Sequence, residues 1–186
     1  MRAFIACGLP AETAYALTAV SRNAEDRAWR WVPTGNVHLT LKFLGEVDSA
    51  RVPLIGAALE RAAGSLEPFD IELAGLGVLP GGRRPPRVLF AEVTAGAEDL
   101  TRLHGAVEAE LSPLGFEPEQ RRFTPHATLA RVREGRPREL PQLLERFSET
   151  RFGRWRCEKL TLYESRLGRG PARYSPLVEA PLGGAS

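Results

Sequence analysis

At 186 residues, 43% hydrophobic and 26% charged, the chain has the length and composition of one globular domain, or two lobes sharing a core, and not of a disordered protein. Its net charge of +2 is too mild for a nucleic-acid packaging protein but compatible with a local basic patch. The opening MRAFIACGLP lacks the apolar run of a signal peptide, and no segment approaches the roughly eighteen unbroken apolar residues of a membrane span, so a cytoplasmic protein without membrane contact is expected.

In chain order, residues 2–8 read as a strand, and PAETAYALTAVSRN as a helix with Ala14, Leu17 and Val20 on one face. The Pro-Thr-Gly-Asn run of WRWVPTGN reads as a turn, residues 37–44 as an alternating strand, and SARVPLIGAALERAAG as a second helix carrying Val52, Ile55 and Leu59, with Pro53 in its first turn. FDIELAGLGVL and RVLFAEVT are strands bracketing a Pro/Arg/Gly loop. AEDLTRLHGAVEAELSPLG is a third helix built on Leu100, Leu103, Val107 and Leu111. RFTPHATLARV is then a strand, PRELPQLLERF a short helix, and CEKLTLYESRL and YSPLVEAPL are closing strands. Strands and helices intermix in both halves of the chain, which predicts an α+β domain of two similar lobes. Cys7 and Cys157 are far apart with no metal-type spacing and are expected to be small buried residues. The arginine runs GGRRPPR (81–87) and RLGRGPAR (166–173) are candidates for a basic patch, with solvated loops as the plainer reading.

Two of the three histidines sit in one pattern: HLTL at 38–41 and HATL at 126–129. With ten threonines in the chain, a given histidine has about a 5% chance of Thr two places on, so coincidence is a poor explanation for the pair. On a strand, residues two apart share a face, so His38, Thr40 and Lys42 project one way and Leu39, Leu41 and Phe43 the other, toward a core. His126 and Thr128 likewise share a face opposite Leu129. The third histidine, His104, borders a helical apolar stripe, has Ala106 two places on, and is given no role.

Two imidazoles facing one cleft suit proton transfer near neutral pH, one accepting and the other donating. The flanking hydroxyls suit the oxygens of a phosphoryl transition state. A metal site would need three or four converging ligands where only two histidines converge, and no phosphate-cradling GxxxxGK[ST] occurs. A serine or cysteine nucleophile with a histidine base is not excluded by spacing, though no nucleophile-elbow sequence is present.

The stretches NVHLTLKFLGEV, LGVLPGGRRPPRVLF, RRFTPHATLARV and LTLYESRLGRGPARY resemble, in order and across essentially the whole chain, the RNA 2′,3′-cyclic phosphodiesterases, or 2′-5′ RNA ligases, of the two-histidine phosphoesterase superfamily. That resemblance implies a bilobal α+β fold, each lobe an antiparallel sheet with helices outside, around a central cleft. It implies metal-independent hydrolysis of an RNA 2′,3′-cyclic phosphate end to a 2′-phosphomonoester, without a cofactor, and possible 2′-5′ ligation by reversal. His38 would protonate the departing 3′ oxygen and His126 would activate water. Thr40, Thr128 and Arg131 would hold the phosphate. Arg131 is an odd number of residues from His126, so a bulge or the strand's end must redirect it. Phe4 could stack on a base, though a core role is the plainer reading. Nothing calls for an obligate protein partner, and a monomer is expected. The alternatives are the same chemistry on another small cyclic phosphate, and a non-catalytic module that binds RNA ends. If both imidazoles serve one phosphate, their nearest nitrogens should lie about 5–8 Å apart in one cleft whose rim carries arginine.

Overall fold

The computed structural model describes residues 1–25, 27–82, 84–133, 135, 137–168 and 170–183, so Arg83 and Arg169 of the two arginine runs lie outside the described residues. Among the described residues, nine strands and four helices follow in the order β1 (Arg2–Cys7), α1 (Ala11–Arg22), β2 (Trp29–Trp31), β3 (Leu39–Glu46), α2 (Val52–Gly64), β4 (Phe69–Leu79), β5 (Val88–Ala95), α3 (Ala97–Leu111), β6 (His126–Val132), α4 (Leu140–Arg146), β7 (Arg151–Cys157), β8 (Lys159–Arg166) and β9 (Arg173–Pro181). The helices form where apolar residues recur at three and four. Leu100, Leu103, Val107 and Leu111 of α3 and Ile55 and Leu59 of α2 are all fully buried.

The class is α+β, with one antiparallel sheet in the order β7-β4-β5-β6-β3-β1-β8-β9 and β2 added beside β6. β7 and β8 stand near opposite ends of that order, yet a single residue, Glu158, joins them. One residue spans only about 7 Å between its neighbours' Cα atoms, so the sheet must curl until its far parts meet. At the centre, β3 and β6 are held by one residue pair, Leu39 opposite Ala127, where the other strand pairs run over three or more positions. This seam divides the sheet into a five-stranded part, β7-β4-β5-β6 with β2, and a four-stranded part, β3-β1-β8-β9.

The halves of the sheet are not the halves of the chain. After β1 the chain crosses the seam, so that α1 packs on β7 and β2 pairs with β6, before returning as β3. After β5 it crosses the other way, and α3 packs on β3 and α2 before the chain returns as β6. Each motif strand thus follows a helix lent to the opposite half. α1 sits tightly there: a Cβ at Gly153 of β7 would overlap the side chain of Thr13.

Two strands were not expected from the sequence. Trp29–Trp31, given no element by the sequence, is β2; the turn expected at Pro33–Asn36 is found at Thr34–Asn36. Arg151–Cys157 is β7, whose arginines meet acids of β4, Arg151 with Glu72 and Arg154 and Arg156 with Asp70. Cys7 and Cys157 are buried, free thiols. None of the described helices is long and apolar enough to cross a membrane.

Candidate active site

The seam gathers the two motifs. In an antiparallel pair with Leu39 opposite Ala127, continuing the register one residue each way sets His38 opposite Thr128 and Thr40 opposite His126. The two histidines are then diagonal neighbours, a relation that places backbones about 7–8 Å apart and side chains within reach of one small group. Leu39, Ala127 and Leu129 are buried on the other face, as the alternation predicts.

Both imidazoles are fixed by the same device. His38 Nδ1 lies 2.6 Å from the carbonyl oxygen of Asn36, and His126 Nδ1 lies 2.7 Å from that of Thr124, each two residues upstream. A carbonyl only accepts, so Nδ1 carries the proton in both rings and Nε2 is left as the working atom. The loop before His38 is itself tied down, because Asn36 Nδ2 donates to the carbonyl of Ala172 at 2.6 Å. Neither Thr40 nor Thr128 has a side-chain hydrogen bond among the described residues, so both hydroxyls are available to donate.

The surroundings differ. His38 stacks on Phe4 at 4.7 Å between centroids, and Tyr174 meets its edge at 5.3 Å. Phe4 also stacks on Tyr163 at 5.2 Å. Burial under these aromatics lowers the His38 pKa to about 4, against the opposing pull of the Asn36 carbonyl. His126 is more open, with Phe90 at 5.0 Å and Glu92 opposite it in the β5–β6 register. Phe4 is 3% exposed and lies on the same side of β1 as His38, so it is neither helix-side core nor a free platform. The sequence singled out Phe4 but not Tyr163, Tyr174, Phe90 or Asn36; they come from distant strands and a turn and carry no local signal.

The expected alternation fails beyond the motif. β3 and β1 pair Thr40 with Ala6 and then Lys42 with Ile5, skipping Leu41, which is therefore a bulge. Lys42 turns to the helical side, 7% exposed, and pairs with Glu108 of α3 at 2.7 Å. Phe43, assigned to the core with Leu39 and Leu41, is instead 69% exposed. β6 repeats the feature. Its partner β5 pairs Phe90 with Thr128 and then Leu89 with Ala130, skipping Leu129. A bulge here puts Arg131 on the face that its expected phosphate contact calls for. Ala130 is buried and Arg131, opposite Val88 and Arg30, is exposed.

At that end of β6 a cavity of about 510 Å³ is lined by Arg87, Arg131, Arg133, Pro85, Pro86, Val132 and Gly135. It lies beyond the histidines and not between them. None of its three arginines has an ion pair among the described residues. His104 stacks on Phe123 at 4.2 Å and sits 3.4 Å from Glu108, away from the motif pair.

The profile of the 2′-5′ RNA ligase superfamily matches residues 9–169. The chain is 39% identical over 147 residues to an RNA 2′,3′-cyclic phosphodiesterase of Aeropyrum pernix, covering 77% of this chain and 81% of the relative. It is 36% identical over 193 aligned positions to one of Thermus thermophilus, covering 99% and 91%. A crystal structure of a Thermus thermophilus protein superposes with a TM-score of 0.82 at 32% identity over the full length of both chains. That of E. coli LigT complexed with 3′-AMP superposes at 0.75 with 27% identity over 97% of each. Motifs, sheet and relatives agree, and the chain belongs to the RNA 2′,3′-cyclic phosphodiesterases of the 2′-5′ RNA ligase superfamily.

Proposed function

We propose that this protein opens the 2′,3′-cyclic phosphate at an RNA end to a 2′-phosphomonoester, by proton transfer between two histidines and without a metal or other cofactor. The observation that carries the reading is the matched pair of Nδ1-anchored imidazoles on either side of the single Leu39–Ala127 bridge. The seam is then the cleft between two lobes, and the cyclic phosphate lies across it.

Water attacks phosphorus from the His126 side, and the Nε2 of His126 takes its proton. The bond from phosphorus to the 3′ oxygen breaks, and Nε2 of His38 delivers a proton to that oxygen. Thr40 and Thr128 donate to the non-bridging oxygens, where charge accumulates. Before substrate binds, burial keeps His38 neutral at physiological pH. A phosphate anion beside its Nε2 favours the charged form and prepares it as the acid. Arg131, redirected by the bulge, and the arginine-lined cavity supply countercharge for the phosphates of the RNA chain. With a 5′ hydroxyl in place of water as the nucleophile, the same groups join a cyclic end to a second RNA, giving a 2′-5′ linkage. The protein acts as a monomer in the cytoplasm.

The test is a short RNA with a 2′,3′-cyclic phosphate end incubated in excess EDTA, its product read by phosphorus NMR. Full turnover to a 2′-phosphate is expected. A 3′-phosphate product, or activity abolished by EDTA and restored by one divalent ion, contradicts the mechanism.

A further inference from the structure

One histidine has no part in the chemistry above. The side chain of His104, on α3, is only 13% exposed, and its ring lies flat on Phe123, with 4.2 Å between centroids and 6° between planes. Phe123 immediately precedes Thr124, whose carbonyl holds Nδ1 of His126 at 2.7 Å. One ring stack and one peptide unit therefore separate the third histidine from the anchor of His126.

The segment that carries this anchor is held by side chains. Between α3 and β6, residues 117–123 make no backbone–backbone hydrogen bond among the described residues. Arg51 instead lies over the Phe116 ring at 4.8 Å, Lys42 Nζ donates to the Glu117 carbonyl at 2.8 Å, and the Glu119 amide donates to Glu108 Oε1 at 3.4 Å. The His104–Phe123 stack is the last of these ties before β6 and the one nearest Thr124 along the chain. Glu108 Oε1 also stands 3.4 Å from His104 Nε2, on the same helix, and helps fix the ring's place. Backbone without ladder bonds is the part of a fold most easily displaced, so the position of the Thr124 carbonyl depends on these contacts.

That carbonyl decides which nitrogen of His126 carries the proton. An unrestrained imidazole in water favours the proton on Nε2, whereas a hydrogen bond made by one ring nitrogen sets the state of the other. With Nδ1 donating to Thr124, Nε2 of His126 is bare and can take a proton from water. Once the carbonyl moves away, Nε2 holds a proton of its own and the base is disabled.

We infer that His104 is a positioning residue: by stacking on Phe123 it holds the Thr124 carbonyl against His126 and keeps that imidazole in the tautomer able to act as a base. The consequence for turnover rests on the phosphodiesterase reading; the consequence for the tautomer does not. A flat ring at position 104 is what the contact uses, so a second aromatic residue serves in its place.

The experiment compares wild type, His104→Ala, His104→Phe and Phe123→Ala by two readouts. One is steady-state hydrolysis of adenosine 2′,3′-cyclic phosphate. The other is the nitrogen-15 shifts of the His126 ring at about pH 8, where imidazoles are neutral and the two tautomers are distinguished. His104→Ala should lower kcat roughly tenfold with KM within about twofold, and move His126 from the Nδ1–H toward the Nε2–H form. His104→Phe should keep the wild-type kcat and tautomer. Phe123→Ala should reproduce His104→Ala, and it carries the test if His104→Ala does not fold, because Phe123 is only partly buried and lies outside the helices and strands. An unchanged tautomer in the alanine variants, whatever their kcat or melting temperature, overturns the inference. So does a wild type already in the Nε2–H form, or a loss in His104→Phe equal to that in His104→Ala. Wild type that hydrolyses no cyclic phosphate strikes the phosphodiesterase reading, and the tautomer shifts then decide by themselves whether His104 orients His126.

Discussion

The side chain whose environment departs most from its sequence neighbourhood is His38. It shares HxTL with His126, yet Phe4, Tyr163 and Tyr174 reach it from β1, β8 and β9 and press its pKa to about 4. The pair should therefore give a bell-shaped kcat/KM profile whose acid limb falls near pH 4, set by proton uptake at the buried His38. Tyr174→Ala opens the cover to water and should move that limb upward toward 6.5, narrowing the bell. The same shift has a stability consequence. Unfolded His38 binds a proton near pH 6.5 and folded His38 only near 4, so stability is full above about 6.5 and is lost on acidification toward 4, by on the order of 3 kcal/mol. Chemical denaturation at pH 7 and pH 4.5 should show that loss in wild type and less of it in His38→Gln. His38→Ala and His126→Ala should each lower kcat at least about a hundredfold while remaining folded. A substrate with sulfur in place of the departing 3′ oxygen needs no proton and should rescue His38→Ala but not His126→Ala. Rescue of the latter alone would exchange the two roles.

Among the elements, the bulged motif strands decide most. In β3 the bulge buries Lys42, whose Nζ lies 2.7 Å from Glu108 Oε2 and 2.8 Å from the carbonyl of Glu117. Removing one partner of a buried pair leaves the other charge without compensation. Lys42→Ala should therefore cost about 3 kcal/mol in a urea titration, and Lys42→Ala with Glu108→Ala clearly less than the sum of the two single changes. Additive costs would show the pair to be energetically independent. Strict alternation placed Lys42 on the cleft face and Phe43 in the core because a bulge adds one residue without a marked sequence signature, and everything after it changes face. In β6 the parity of Arg131 exposed the difficulty, since a residue required on one face was counted onto the other.

On the scale of the molecule, the curled sheet and the two exchanged helices make the seam a structural unit and not a gap between independent lobes. α1, which follows β1 in the chain, is held on β7, where Gly153 leaves room for Thr13. Gly153→Ala should destabilise the whole protein by about 1–3 kcal/mol, as overpacking does. Thr13→Ala in that background should recover part of the loss, because it removes the atoms nearest the added methyl. A melting temperature unaffected by Gly153→Ala would mean that α1 yields without consequence for the sheet.

The sequence alone determined the helices, seven of the nine strands found among the described residues and the paired histidines with their threonines, because each is written in local periodicity or in a repeated four-residue pattern. It did not contain β2 or β7. One is three residues beside a turn, and the other is a strand whose arginines find acids only across the sheet. Nor could it bring Phe4, Tyr163 and Tyr174 to one imidazole, since they lie 159 and 11 residues apart along the chain and meet only through the pairing of β1, β8 and β9. The two motifs of the candidate site are local and therefore legible. The exposure of each histidine, the face taken by residues beyond each bulge, and the crossing of the chain between halves depend on long-range strand pairing, which only the folded sheet decides.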